Sequence, residues 1–387
     1  MLPRMSSIRT VRRLFLHPIW LFLALPGYVG WRLLSGMSLG PLGIAAGIAV
    51  LVAFCLFIPF SMRARGMQDQ KLADRVSWVG LTAIGFFSSL FVLTFLRDLA
   101  LLVARPFIAS EQAWIAPSAQ ATLLLTFLMT IAGLIIARRR PAVVKIDIPV
   151  MGLPQALHGF SIAQISDVHV GPTIKRGFVE GIVRRVNALK ADMVAVTGDL
   201  VDGSVQQLSA HTAPLAALAA RHGAYFVTGN HEYYSGEGAW TAEIRRLGLR
   251  VLKNEHVVLK HDGASLVLAG VTDYSAHHFD PAQRSDPAAA LYGAPANAGA
   301  RILLAHQPSS AAAAEQAGFD VQISGHTHGG QFWPWNLFVR FFQPFTAGLH
   351  RLRNLSVYVS RGTGYWGPPN RFGVPSEITH IRLVPAS

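Results

Sequence analysis

The clearest candidate chemistry in this sequence is carried by the stretch SGHTHGGQ, residues 324–331. Two histidines, His326 and His328, are separated by one residue and stand between glycines. Imidazole is the commonest side-chain ligand for metal ions, so the pair could be half of a metal site. A glycine-rich turn that happens to carry two histidines is the other interpretation. Residues elsewhere in the chain that could complete a site decide between the two.

Short apolar runs in the C-terminal two thirds of the chain each end in a polar cluster. Six such clusters stand out, at residues 166–169, 197–202, 228–232, 270–273, 306–308 and 324–328. Five of them are rich in Asp, Asn and His. Apolar runs of this length predict buried strands. One His-x-His pair arises easily by chance, whereas six polar clusters at strand ends favour a functional site.

Segments with helical spacing lie between several of the predicted strands, at residues 179–189, 213–220, 239–247 and 309–317. Alternation of strands and helices predicts an α/β domain. In such sheets, ligands bind at the carboxyl ends of the strands, which is where the polar clusters stand. We therefore expect the clusters to meet in the folded domain.

The clusters supply carboxylate, carboxamide and imidazole groups but no thiolate. The candidate metal ligands are Asp167, His169, Asp199, Asn230, His306, His326 and His328. This mixture suits Mn, Fe or Zn better than Ca or Mg, which prefer oxygen ligands. Seven ligands are too many for one tetrahedral ion, but they fit two divalent ions about 3.5–4 Å apart that share a carboxylate. The only cysteine, Cys55, lies in an apolar run and is interpreted as a packing residue.

Taken in chain order, the clusters resemble the signature of the calcineurin-like metallophosphoesterase superfamily. The matching motifs are Asp167-x-His169, Gly198-Asp199-x-x-Asp202, Gly229-Asn230-His231-Glu232, the isolated His306 and Gly325-His326-x-His328. The closing stretch at residues 360–369 looks like that of a bacterial subgroup of membrane-associated phosphodiesterases. The resemblance covers roughly residues 149–383 and implies a sandwich of two sheets flanked by helices.

The resemblance also implies a role for each matching residue. The residues that would hold the two ions are Asp167, His169 and His328 for one, and Asn230, His306 and His326 for the other. Asp199 would bridge the ions. His231 would act as the general acid for the leaving oxygen, and Asp202 would orient it. This division is physically consistent, because an imidazole bound to a metal cannot also donate a proton.

The first third of the chain differs in composition and predicts membrane spans. Four apolar stretches, at about residues 18–34, 39–60, 77–96 and 119–137, meet or nearly meet the length of about 20 residues that a bilayer requires. Residues 1–140 hold 14 Lys and Arg against 4 Asp and Glu, whereas residues 141–387 hold 20 against 17. The second part therefore lacks the basic excess of a nucleic-acid-binding surface. We expect a transmembrane region of four helices over residues 1–140 and a metallophosphoesterase domain over residues 141–387.

The basic residues also predict the orientation of the spans. They concentrate in the N-terminal tail, in the loop between the second and third spans, and directly after the fourth span. By the positive-inside rule, both termini and the C-terminal domain face the cytoplasm. This predicts a multi-pass protein of a bacterial-type inner membrane. The pair Arg12-Arg13 resembles a twin-arginine export signal, which would send the domain outward, but no small-residue cleavage site follows it and three more spans do.

These features predict a membrane-anchored phosphoesterase that uses two metal ions to hydrolyse a phosphodiester or pyrophosphate, through attack by a metal-activated hydroxide. The aromatic stretch 332–342 would either rest on the bilayer or pack on its own domain. In the first case the substrate would be lipid-linked and the enzyme would bind a lipid headgroup. Alternatives are a tethered hydrolase of soluble phosphoesters and a membrane transporter or receptor with a metal-binding domain. No nucleic-acid partner is expected, and the sequence leaves the oligomeric state open.

Overall fold

The computed structural model describes residues 18–64 and 67–386. The chain divides into two compact units, and the boundary along the chain lies between Ala132 and Gly133. In the described residues, the first unit is helical and all of the strands belong to the second. The division falls within the helix Gln112–Arg138, so the last residues of that helix, from Gly133 onward, belong to the second unit.

Four long helices follow one another in the first third of the chain: α1 (Pro18–Leu34), α2 (Pro41–Arg63), α3 (Gln70–Ala104) and α4 (Gln112–Arg138). Three of them, α2, α3 and α4, are long and apolar enough to cross a membrane. Helix α1 has 17 residues with Pro26 inside it, and at 1.5 Å per residue such a helix is about 26 Å long, short of the bilayer core. The structure thus differs from the prediction of four spans: among the described residues three helices reach spanning length, and α1, described from Pro18 onward, has 17 residues.

A network of charged side chains joins α1 to α3 in the first unit. Arg32 donates from Nε to Asp98 at 2.7 Å, and the Tyr28 hydroxyl donates to the same oxygen at 2.6 Å. The neighbouring Arg97 donates to the other Asp98 oxygen at 2.9 Å. Charged groups in an apolar setting are tolerated when they are paired. These hydrogen bonds therefore explain how Asp98 can lie near the end of the apolar helix α3.

Two six-stranded sheets form the second unit. In spatial order, the first contains β1 (Ala142–Val150), β12 (Glu377–Pro385), β2 (Ser161–Ile165), β3 (Met193–Thr197), β4 (Ala224–Val227) and β5 (Arg250–Val251). The second contains β10 (Gly348–Leu352), β11 (Leu355–Val359), β9 (Val321–Ser324), β8 (Ala300–Leu304), β7 (Ala264–Gly270) and β6 (Glu255–His261). Neighbours from β2 to β5 run parallel, as do β11, β9, β8 and β7.

The helices of the second unit are α5 (Arg176–Ala188), α6 (Val205–Thr212), α7 (Asn230–Ser235), α8 (Glu237–Arg246), α9 (Pro287–Ala290) and α10 (Ala311–Ala317). Helices α5, α6 and α8 pack on the outer face of the first sheet, and α9 and α10 pack on that of the second. Strand β3 shows why its sequence is continuously apolar. Met193 and Ala195 belong to the core between the two sheets, whereas Val194 and Val196 belong to the core under the helices. A strand buried on both faces needs apolar residues at every position. The predicted α/β sandwich of two sheets flanked by helices is confirmed.

The topology brings the polar clusters to one edge of the sandwich. Strands β2, β3 and β4 of the first sheet and β8 and β9 of the second each lead into a predicted cluster. The buried side chain of Gln164 on β2 ties the two sheets together at this edge. It donates to the Ser324 carbonyl of β9 at 2.8 Å and to the Thr197 hydroxyl of β3 at 2.8 Å.

Candidate metal centre

Asp167, His169 and His328 form the first of three groups whose ligand atoms all lie within 4.8 Å of one another. The Nε2 atoms of His169 and His328 are 3.0 Å apart, and His328 Nε2 is 3.4 Å from an Asp167 carboxylate oxygen. All three side chains are buried. Asp167 and His169 follow β2 whereas His328 follows β9, so both sheets contribute to this group.

Asp199, His306 and His326 form a second group. Asp199 Oδ2 is 3.1 Å from His306 Nε2, and that nitrogen is 3.2 Å from His326 Nδ1. His306 donates its other ring N–H to the Thr197 carbonyl at 2.7 Å, as metal-bound histidines usually do, since this leaves the second nitrogen free for an ion. A histidine ligand must be neutral. Burial and the nearby His306 lower the pKa of His326 to about 3.

His231 forms a third group with His169 and Asp199, and Asp202 orients two of these side chains. One Asp202 oxygen accepts from His231 Nδ1 at 2.6 Å and from His169 Nδ1 at 3.1 Å. The remaining nitrogen of His231, Nε2, is 4.0 Å from Asp199 Oδ2. Asp202 therefore fixes the imidazole of a candidate ligand as well as that of His231, although the sequence indicated only the latter.

The protonation of His231 follows from its surroundings. Burial lowers the pKa of His231, but the hydrogen bond to Asp202 and the charges of Asp199, Asp202 and Glu232 outweigh burial and raise the pKa to about 9. A histidine with such a pKa carries a proton at neutral pH and can donate it. Divalent cations bound beside it would lower this pKa towards neutrality, where a general acid works best.

The buried amide of Asn230 tests whether the residues present fit a metal ion. Its Oδ1 atom is buried and has no hydrogen-bond partner among the described residues, although leaving such a group unpaired costs about 1–3 kcal/mol. Asn230 stands directly before His231, whose backbone N–H donates to Asp199 at 2.9 Å. A cation near Asp199 would satisfy the unpaired oxygen. The nitrogen and oxygen donors at this edge therefore fit divalent metal ions.

The backbone at the centre is strained in a way that brings the side chains together. Five predicted ligands have positive φ angles, between 51° and 71°: Asp167, His169, Asp199, His326 and His328. Residues other than glycine rarely adopt this conformation, and it persists where the surrounding structure enforces it. Two neighbouring glycines permit close approach. A Cβ on Gly229 would lie 2.2 Å from Asp199 Oδ1, and one on Gly325 would lie 2.3 Å from Asp167 Oδ2.

Two residues that the sequence did not single out as functional support the centre. Glu232 is buried and accepts the backbone N–H groups of Asp199 at 3.0 Å and Leu200 at 2.8 Å, so it holds the loop that carries Asp199. Arg371 is fully buried, with Nη2 3.0 Å from His328 Nδ1, and it donates to the His328 carbonyl at 3.1 Å. Glu232 lies within the Gly-Asn-His-Glu motif, which could have indicated it. Arg371 lies outside every motif, so only its position in the fold reveals it.

Comparison with known proteins identifies the family to which this chain belongs. The sequence profile of the calcineurin-like phosphoesterases matches residues 160–330. A Danio rerio protein, described as a transmembrane protein with metallophosphoesterase domain, is 38% identical over 308 residues, which are 77% of this chain and 70% of that protein. The chain belongs to the calcineurin-like phosphoesterase family. The predicted superfamily and the predicted class, a metal-dependent phosphoesterase, are thereby confirmed.

Other members of the family are similar over a shorter part of their length. A Bos taurus protein of the same description is 39% identical over 275 residues, covering 68% of this chain and 62% of that protein. An uncharacterized metallophosphoesterase of Helicobacter pylori is 38% identical over 229 residues, covering 58% of this chain and 60% of that protein. Relatives described as transmembrane proteins, together with three apolar helices, support membrane association.

We expect Gly229→Ala to weaken Mn²⁺ binding by about tenfold or more, a change of about 1.4 kcal/mol. The added Cβ would lie 2.2 Å from Asp199 Oδ1 and 2.6 Å from the Asp199 backbone nitrogen. Isothermal titration of the purified full chain with Mn²⁺ measures this. Gly177→Ala in α5 is the matched control, because no atom lies within 4 Å of its added Cβ. Equal affinities in the two variants would show that the close approach does not matter.

Proposed function

We propose that this protein is a membrane-anchored phosphoesterase that hydrolyses a phosphodiester or a pyrophosphate with two divalent metal ions. The observation that carries the proposal is that Asp199 lies within ligand distance of His306 and His326 in one group and of His169 in another. A shared carboxylate between two sets of ligands suits two ions a few ångströms apart. Such pairs recur in enzymes that hydrolyse phosphate esters.

The proposal assigns the ligands as the family resemblance implies. One ion would be held by Asp167, His169 and His328, the other by Asn230, His306 and His326, and both by Asp199. The nitrogen and oxygen ligands favour Mn, Fe or Zn. When bound, such ions supply Lewis-acid chemistry, which activates water and neutralises the charge of the phosphate.

His231 supplies the proton that the leaving oxygen needs. Asp202 accepts from Nδ1 at 2.6 Å, which fixes the ring and leaves Nε2 as the atom that donates. The raised pKa keeps this proton in place at neutral pH. Because Asp202 also holds His169 at 3.1 Å, one carboxylate sets the distance between the proton donor and a metal ligand.

We expect His231→Ala to retain its metal but to slow hydrolysis unevenly. A general acid contributes about 10²–10⁴-fold where the leaving oxygen must be protonated. The loss should therefore reach about 100-fold with an alkyl phosphodiester and be much smaller with bis(p-nitrophenyl) phosphate, whose phenolate leaves without a proton. Steady-state kinetics and metal analysis of the same preparation measure both effects. His278→Ala, at an exposed histidine, is the control, and equal losses of His231→Ala on the two substrates would refute this role.

An exposed aromatic patch supports a substrate that is lipid-linked. Phe332 is buried, but Trp335, Phe338, Phe341 and Phe342, which follow it, have exposed fractions between 42% and 81%. A patch of this kind marks an interaction surface, and aromatic rings beside a basic residue, here Arg340, suit the headgroup level of a bilayer.

The patch adjoins the candidate metal centre. A Cβ on Gly330, two residues after His328, would lie 2.2 Å from Asn336 Cα, so the segment that carries the patch begins against the ligand loop. A bilayer in contact with the patch would therefore lie beside the site. The substrate that this arrangement favours is a phosphodiester or pyrophosphate attached to a membrane lipid.

We expect the triple substitution Trp335→Ser, Phe338→Ser and Phe341→Ser to slow hydrolysis of lipid substrates selectively. In proteoliposomes, hydrolysis of a phosphatidylglycerol or of a lipid pyrophosphate should fall by about tenfold or more, since each buried ring contributes about 1.5–3 kcal/mol to membrane contact. Hydrolysis of bis(p-nitrophenyl) phosphate should not change. Tyr292→Ser, at a tyrosine that is 90% exposed, is the control. Unchanged rates on every substrate would favour a tethered hydrolase of soluble phosphoesters instead.

We propose that both termini and the phosphoesterase domain lie in the cytoplasm of a bacterial-type inner membrane. Basic residues cluster at the N-terminal tail, between α2 and α3, and at the end of α4, which is the positive-inside pattern. A fluorescent protein that folds only in the cytoplasm, fused after Ser387, should fluoresce. An active periplasmic alkaline phosphatase at the same position would instead support export.

A further inference from the structure

Two exposed aromatic side chains contact His231 and a third packs on one of them, and the proposed hydrolysis gives them no role. Tyr234 lies on α7, Phe279 follows β7, and Trp366 lies between β11 and β12. The rings of Tyr234 and Trp366 contact the His231 imidazole edge-on, with centroids 5.2 Å and 5.7 Å away. Phe279 packs against Tyr234 with centroids 5.4 Å apart. We call Tyr234, Phe279 and Trp366 the aromatic collar.

The three collar rings are exposed. The exposed fractions are 63% for Tyr234, 49% for Phe279 and 51% for Trp366. Among residues 362–371, Trp366 is the single exposed position. Large rings are highly buried on average, and ligand sites are lined mainly by apolar and aromatic side chains. Two such rings on one proton donor, with a third packed against them, indicate a binding surface.

The buried side chain of Gln331 positions Trp366 within the collar. Its Nε2 donates to the Trp366 carbonyl at 2.8 Å, and its Oε1 accepts from the Trp366 N–H at 2.8 Å. Gln331 also has a positive φ of 61°, which its place in the turn after His328 requires. The same turn therefore carries a candidate metal ligand and fixes the backbone of an exposed ring beside the proton donor.

We infer that the collar binds the leaving alcohol of the substrate and that this alcohol carries an aromatic ring. This inference rests on the proposed phosphoester hydrolysis and adds which ester bond is cut. The P–O bond to the ring-bearing alcohol breaks, a water molecule supplies the oxygen that joins phosphorus, and the proton on His231 Nε2 passes to the leaving oxygen. The proton that the water releases restores His231. The leaving alcohol is attached to the oxygen that His231 protonates. Rings that contact His231 would therefore contact this alcohol as well.

An unsymmetrical diester tests this assignment by internal competition. In 2-phenylethyl 2-methoxyethyl phosphate, the two alcohols leave with similar intrinsic ease, and one of them carries a ring. The full chain in detergent with Mn²⁺ should release 2-phenylethanol in preference to 2-methoxyethanol by about tenfold, the selectivity that two aromatic contacts provide. Mass spectrometry of the two phosphomonoesters gives the ratio. The ratio does not depend on how much of the preparation is folded or loaded with metal.

Substitutions in the collar test whether the collar causes this preference. Trp366→Ala and Phe279→Ala should bring the ratio close to one, and Gln331→Ala should lower it because it releases Trp366. Tyr292→Ala, at a ring that is 90% exposed, is the matched control and should keep the wild-type ratio. A ratio close to one in the wild-type chain, or one that the collar variants leave unchanged, would overturn the inference.

Three further outcomes separate this inference from the proposed function. If octyl 2-methoxyethyl phosphate releases octanol with the same preference, the collar selects an apolar chain, and the assignment of a ring is wrong. If bis(p-nitrophenyl) phosphate is hydrolysed but neither alkyl ester is cut, the collar does not bind an alcohol of this class, and the inference fails alone. If no phosphoester is hydrolysed, the proposed function has failed.

Discussion

The burial of four carboxylates at one edge of the sandwich is the constraint on which the rest of the centre depends. Asp167, Asp199, Asp202 and Glu232 are each 8% exposed or less. Like charges this close cannot all stay ionised in a protein interior unless cations or hydrogen-bond donors offset them. Burial and the charge of Asp199 raise the pKa of Glu232 to about 8, and burial raises the pKa of Asp167. A centre of this kind is stabilised by bound cations.

The scaffold keeps these carboxylates in place by other interactions. Gln164 links the two sheets next to the centre, and Glu232 receives backbone N–H groups from the loop of Asp199. Positive φ angles at the candidate ligands, and glycines that allow close approach, cost conformational energy, which the packed sheets on either side offset. The polar edge therefore depends on the apolar cores, because the buried strands supply the rigidity that the strained turns require.

The strands and their polar ends could be predicted from residue types and spacing, whereas the contacts between distant segments depended on distances that a sequence does not contain. Short apolar runs ending in Asp, Asn and His predicted the strands and their polar ends, since a strand buried on both faces leaves a continuous apolar pattern. Four spans were expected and three described helices reach spanning length, because the first stretch was counted although its 17 residues fall short of the about 20 that a bilayer requires. The aromatic stretch 332–342 had two interpretations, and the structure divides it, with Phe332 buried and the rings after Trp335 exposed.

The sequence by itself determined the α/β class, the types of the candidate ligands and the order of the motifs, because these follow from local patterns along the chain. Tertiary structure alone decided which candidate ligands meet, since residues as distant as His169 and His328 approach to 3.0 Å only when the two sheets pack. It also decided that Asp202 holds two imidazoles, that Arg371 supports His328, and that Tyr234 and Trp366 contact His231. Each of these contacts joins segments far apart in the chain, and no local pattern encodes the distance between them.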